Sequence, residues 1–145
     1  MLNTHNHKMV VVTPPAAIID NASAVTAAID TSGFDYVDIY AVLGATDIAM
    51  AALKLQQSDE SGANFVDIAG ADFSAVALGL PSATDDNKVY AFHVNMVGKK
   101  KYLDVVATAG DGAAGTFLTI VAILSRAKEY PNTAAKRGVA KEVFV

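Results

Sequence analysis

The sequence predicts an all-β protein: an antiparallel β-sandwich or jelly-roll-like single domain with extended terminal arms. Three observations carry this expectation. Apolar residues recur at every second position over residues 35–43 and 89–108, turn-forming clusters return at short intervals, and no sustained alternation of strand and helix patterns is present. A chain of 145 residues fits one domain, since at this size folding buries roughly 68–70% of the surface the unfolded chain exposes.

Residues 1–8 are polar and aperiodic, and Met9-Val10-Val11-Val12 is a short β-prone run stopped by Thr13-Pro14-Pro15. Residues 1–15 are therefore expected to be an N-terminal arm entering the domain. Residues 16–20 and 22–29 are weak strands, because the Ala-rich second piece shows no 3.6-residue apolar stripe. Asp30-Thr31-Ser32-Gly33 is a tight turn, in which Asp and Ser bond nearby backbone and Gly accepts positive φ.

The clearest strand follows. Over residues 35–43, Val37, Ile39, Ala41 and Leu43 share one face and Tyr36, Asp38, Tyr40 and Val42 the other, with Gly44 ending the run. Residues 48–57 contain good helix formers, but Leu53-Lys54-Leu55-Gln56 alternates ahead of the turn cluster Ser58-Asp59-Glu60-Ser61-Gly62, which favours a strand over its helical rival. Residues 64–68 form another short strand, and 70–80 are irregular.

Residues 81–88, centred on Asp85-Asp86-Asn87, are an exposed loop leading into a hairpin. Its first arm, 89–97, aligns Tyr90, Phe92, Val94 and Met96; Gly98-Lys99-Lys100 turns; the return arm, 101–108, sets Leu103, Val105 and Ala107 opposite Tyr102, Asp104, Val106 and Thr108. A Gly-rich loop at 110–115 leads to residues 116–125, which are apolar on both faces. Such a strand is covered on both sides by layers or by subunits, with a buried helix running on to Pro131 as the alternative. The sandwich thus spans residues 16–131. Residues 132–145 are a C-terminal tail that closes on Val143-Phe144-Val145, an apolar ending of the kind that docks onto something.

Composition narrows the function. Apolar residues make up 52% of the chain and charged residues 18%, so either both sheet faces are covered or apolar surface is kept for a partner. A net charge of −4 provides no basic field for phosphates or anionic lipid, and nucleic acid is not an expected partner. The longest uncharged apolar run, residues 112–125, is shorter than the ~20 residues of a spanning helix, so no membrane partner is expected. The run at 9–12 is too short for a secretory core. Without Cys there is no disulfide or thiolate site.

No catalytic, cofactor or metal site is expected. His5 and His7 lack a third ligand nearby, and His93 reads as a polar strand-face residue. Asp59-Glu60 and Asp85-Asp86-Asn87 carry turn chemistry without the alternating oxygen ligands of a calcium loop. Gly110-Asp111-Gly112-Ala113-Ala114-Gly115 matches G-x-G-x-x-G, but a dinucleotide site needs a helix next, and a β-branched run follows. No G-x-S-x-G occurs. Lys99-Lys100-Lys101 is a solvated turn, or a rim contact to an acidic partner.

Residues 29–131 carry a pattern of strand and turn segments: Ile29-Asp30-Thr31-Ser32-Gly33-Phe34-Asp35-Tyr36-Val37, Leu43-Gly44-Ala45-Thr46-Asp47, Leu53-Lys54-Leu55-Gln56-Gln57-Ser58-Asp59, Phe65-Val66-Asp67-Ile68, Leu80-Pro81-Ser82-Ala83-Thr84-Asp85-Asp86-Asn87-Lys88 and Gly98-Lys99-Lys100-Lys101-Tyr102-Leu103. This pattern resembles the tailed-phage capsid decoration, or cement, protein family. The resemblance implies a β-sandwich on the outer capsid surface of the virion, made in the host cytoplasm, often a homotrimer, bridging major capsid protein subunits and stabilising the shell.

Both termini lie mostly outside the resemblance, and their apolar residues are the candidate protein contacts: Met9, Val10, Val11, Val12, Val143, Phe144 and Val145. A carbohydrate- or receptor-binding module using Tyr36, Tyr40 and Tyr102 as stacking surfaces is the alternative; the absence of Trp and the 8% aromatic content argue against it. If the acidic turns are only turns, millimolar calcium or a chelator leaves the melting temperature unchanged, because a ligand bound only by the native state raises it. A calcium-dependent rise of several degrees in a thermal melt would instead reveal a metal site there.

Overall fold

The structure, a computed structural model, describes residues 3–145. Eight strands follow one another: β1 His7–Thr13, β2 Ile29–Asp30, β3 Phe34–Thr46, β4 Ala52–Ser58, β5 Val66–Asp72, β6 Val89–Asn95, β7 Tyr102–Thr108 and β8 Thr116–Ala127. They form two four-stranded antiparallel sheets, ordered β1-β8-β3-β6 and β2-β7-β4-β5. The first strand pairs with the last, the second with the seventh, the third with the sixth and the fourth with the fifth. These four nested pairs are one long hairpin folded over itself, the jelly-roll order.

Period-2 alternation places the core. Val37, Ile39, Ala41 and Leu43 of β3 and Ile120, Ala122 and Leu124 of β8 face Leu53 and Leu55 of β4 and Leu103, Val105 and Ala107 of β7, all buried. Across the β3–β8 ladder large residues sit beside small ones, Ile39 opposite Ala122 and Ala41 opposite Ile120, so the layer fills without collision. The turn at Asp30 forms as its chemistry dictates: Ser32 N–H donates to Asp30 Oδ1 at 3.0 Å and Gly33 adopts φ 84°.

Several expectations need correction. Residues 89–108 are not a hairpin: β6 pairs with β3 and β7 with β4 and β2, so the turn around Gly98 carries the chain from one sheet to the other. Alternation defines the two faces of a strand and is silent about its neighbour. Residues 16–20 and 22–29 form no strands beyond β2. They make isolated bridges, Ile19↔Thr116 and Ser23↔Thr108, and bond to both sheets through Ala24 N–H to Ala107 O at 2.8 Å and Ala27 N–H to Val12 O at 2.9 Å. Alanines offer little bulk for a buried face, and the segment serves as a crossover strapping the layers together.

β3 does not stop at Gly44 but runs to Thr46. A side chain at Gly44 would place its Cβ 2.8 Å from Phe117 Cβ, so the glycine lets β8 lie close rather than ending the strand. β5 likewise continues to Asp72, into the stretch read as irregular. Residues 116–125 adopt the strand alternative within β8, and so does the second part of 48–57, where β4 begins at Ala52; residues 48–51 lie outside any strand.

Of the expected N-terminal arm, residues 1–2 lie outside the described residues. Residues 7–13 are an edge strand of the first sheet, with a bulge at Val12. The C-terminal tail holds a 3-10 turn, Ala135–Arg137, packed against β1. Gly138 (φ 72°) sits so close that a Cβ there would run into the Met9 carbonyl.

Ile39 is fully buried at the centre of this packing. Ile39→Ala is expected to cost about 2–5 kcal/mol, read as a lower urea midpoint at unchanged slope. Val25→Ala, at an 86% exposed position, should stay within about 0.5 kcal/mol. Equal effects of the two would contradict the placement of the core.

Candidate functional site

β8 is apolar on both faces, but only one face is covered. Ile120, Ala122 and Leu124 point into the sandwich, while Val121 and Ile123 point out from the centre of the first sheet, half-buried. Register extends this outer face across the neighbouring strands. One row reads Val11, Val121, Tyr40, Ala91; the next reads Met9, Ile123, Asp38, His93. Val42 stands between Thr119 and Val89, and Phe117 lies beside Gly44. Met9, Val11, Val42, Val89 and Phe117 are 42, 56, 36, 54 and 44% exposed. An apolar sheet face of this extent is a feature that marks interaction surfaces.

Polar groups interrupt it at Thr119, in the row His7, Ser125, Tyr36, Asn95, and at Asp38 with His93. His93 Nδ1 lies 2.6 Å from Asp38 Oδ1, with Tyr40 edge-on to the imidazole at 6.1 Å. Across the same face Tyr36 lies under the Arg126 guanidinium at 5.5 Å. Tyr102 belongs to β7 in the other sheet. The three tyrosines are therefore not one stacking platform.

The candidate contact residues divide. Met9 and Val11 are on the exposed outer face, whereas Val10 packs against the core and Val12 is buried. Val143, Phe144 and Val145 are exposed at the end of the tail. The tail is held by Arg137, a buried side chain whose Nε donates to Glu142 Oε2 at 3.0 Å while its terminal nitrogens reach Glu142 Oε1 and the Pro131 carbonyl. Phe144 then lies 6.3 Å from the His5 ring and 5.9 Å from the Arg137 guanidinium. The structure thus brings both apolar termini to the β1 side of the first sheet. The contact residues expected from sequence omit Val42, Val89, Phe117, Val121 and Ile123; the two-sided apolarity of residues 116–125 signals the last three, while Val42 and Val89 join them only through the pairing of β3 with β8 and β6.

The polar motifs serve the architecture. The G-x-G-x-x-G loop connects β7 to β8, and its amides bind the protein's own carboxylates. Ala114 N–H donates to Asp47 Oδ2 at 2.5 Å and Gly112 N–H to Asp20 Oδ1 at 3.1 Å. A side chain at Gly112 would collide with the Asp47 carboxylate. Asp86 accepts from Thr46 N–H at 2.8 Å, and Asp59 faces Lys100 at 3.2 Å. Asp85 gathers Lys88 Nζ at 2.8 Å, Ser82 N–H at 2.7 Å, Ser82 Oγ–H at 2.8 Å and Tyr90 O–H at 3.1 Å. Among the described residues no three His, Cys, Asp or Glu side chains converge as metal ligands.

No family model matches the chain, and no curated protein matches it. Among solved structures it is similar to the crystal structure of SPBc2 prophage-derived protein YomS, at 14% identity, covering 82% of this chain and 92% of that one, with a TM-score of 0.47. At this level the likeness carries no argument about fold or role.

The buttressing carboxylates make stability depend on pH. The Lys88 ammonium, then the Ser82 amide and hydroxyl, hold the Asp85 carboxyl far below the usual carboxylate range; the Ala114 and Gly115 amides lower that of Asp47. A lowered folded-state pKa contributes stability that is complete above the unfolded value of about 4 and is lost as pH falls below it. Thermal melts should therefore drop steeply below about pH 4, and Asp85→Asn and Asp47→Asn should each flatten that drop while lowering the melting temperature at neutral pH. An unchanged acid limb in both variants would show that other groups control it.

Proposed function

We propose that this protein is a structural component of a tailed-phage virion, decorating the outer capsid surface and stabilising the shell by bridging major capsid protein subunits, with self-association as part of that role. The observation that carries the reading is the apolar outer face of the first sheet. Removing it from water is worth roughly 25 cal/mol per Å². Four strands at ~4.8 Å spacing and about seven residues at ~3.4 Å each give the whole outer face, polar positions included, a span on the order of 450 Å², about half of the ~800 Å² per partner of a standard stable interface. A contact of that size is modest alone, and repetition over a lattice multiplies it.

The sequence resemblance supports the same reading, as does the use of the polar clusters in turns and loop anchors. A sugar- or receptor-binding role is less well supported, because Tyr102 lies in a different sheet from Tyr36 and Tyr40.

Cosedimentation with capsids of the phage that encodes the protein tests the proposal. The wild-type chain should be retained in fixed proportion to the major capsid protein, and Val11→Asp combined with Val121→Asp should weaken retention by roughly tenfold or more, equivalent to at least about 1.4 kcal/mol. Wild-type retention by a folded double variant would place the contact elsewhere, and absence of the protein from purified virions would end the proposal.

A further inference from the structure

The first sheet ends on β6, and the antiparallel pattern identifies which backbone groups of that strand are in use. Met96 N–H donates to Asp35 O at 2.9 Å and Leu43 N–H to Lys88 O at 3.0 Å, with an unbroken register between them. Opposed residues alternate between exchanging both hydrogen bonds and exchanging neither. Tyr90, Phe92 and Val94 therefore direct their N–H and C=O groups to β3, and Val89, Ala91 and His93 direct theirs outward from the sheet edge.

Beside this open edge, between β6 and the other sheet's edge strand β5, lies an apolar groove of about 240 Å³ lined by Leu55, Ala71, Phe73, Val76, Phe92 and Val94. Phe73 stands edge-on to Phe92, with ring centroids 4.9 Å apart. An unpaired edge flanked by an apolar pocket is the requirement for strand addition, in which main-chain bonds provide affinity and alternate side chains fill pockets.

The chain carries a segment of matching chemistry. Val143-Phe144-Val145 is β-prone, belongs to no strand and is exposed at all three positions. Its own β6 is out of reach. Glu142 is anchored by Arg137 on the β1 side, and β1 is three strand spacings, ~14 Å, from β6. Three residues extend at most ~10 Å.

We propose that residues 143–145 of one copy add as a strand to the β6 edge of a second copy. Phe144 enters the groove beside Phe73 and Phe92, and Val143 and Val145 lie on the outer face beside Ala91 and His93, whose outward N–H and C=O groups they pair with. Each copy offers its tail and its acceptor edge at opposite sides of the same sheet, so the contact is heterologous and generates a ring if the rotation closes. The inference goes beyond capsid decoration, because it needs no shell and is tested on the isolated protein.

Sedimentation velocity of the full chain should show concentration-dependent association. Phe144→Asp removes the donor residue. Ala91→Pro blocks the acceptor while sparing the β3 ladder, because the Ala91 N–H points away from β3 and edge strands tolerate proline there. Each variant alone is expected to be monomeric where the wild type is associated, with thermal melts confirming that it is folded. Mixed, they should form a one-to-one dimer and nothing larger, since the first retains only the acceptor and the second only the donor. A monomeric wild type, undiminished association of either variant, or a mixture that stays monomeric would overturn the proposal, whatever the outcome with capsids.

Discussion

Where β3 and β8 lie side by side, Val37 meets Leu124, Ile39 meets Ala122 and Ala41 meets Ile120, and this ladder constrains everything around it. Both strands are paired on their two edges, β8 by β1 and β3, β3 by β8 and β6. Their inward residues form one side of the core, and a slip of one residue would turn all of them toward water. The second sheet, the crossover straps and the tail are arranged on this pairing. The largely apolar outer face is its by-product, since β8 turns Phe117, Val121 and Ile123 outward as well as Ile120, Ala122 and Leu124 inward.

Legibility followed the alternation. β3, β4 and β7 were readable because one face is buried and the other is not, so Val37 to Leu43, Leu53 with Leu55, and Leu103 to Ala107 appear at every second position. Strand partners were not readable. The alternation of 89–108 suits a hairpin and a crossover equally, and only competition for β3 and β4 decides between them. Residues 16–29 were opaque for another reason: alanine suits helix, strand or strap without bulk to favour one, and the backbone bonds to Val12 and Ala107 that decide are long-range.

The apolar outer face was half legible. Met9-Val10-Val11-Val12 is uniformly apolar, and only pairing with β8 turns Met9 and Val11 outward and Val10 and Val12 inward. The anchor of the tail was invisible, because an arginine five residues before a glutamate in a charged segment reads as solvated; Pro131 and Glu142 converge on Arg137 only once the tail folds against β1. The glycine-rich loop shows that a phosphate-like cradle can be an internal device, its amides already taken by Asp47 and Asp20.

Nested pairing also governs how the chain reaches this state. His7 lies beside Ser125, while Gln57 lies beside Val66, so the loop closed by each pair lengthens from the innermost to the outermost. Chain entropy favours closing short loops first, which makes β4 with β5 the cheapest pair to form and β1 with β8 the dearest. Topologies so dominated by distant pairings fold on the slow scale of milliseconds to seconds. β1 is what closes the β8 edge, so the strand that is most apolar on both faces depends on the costliest loop closure in the fold to protect that edge.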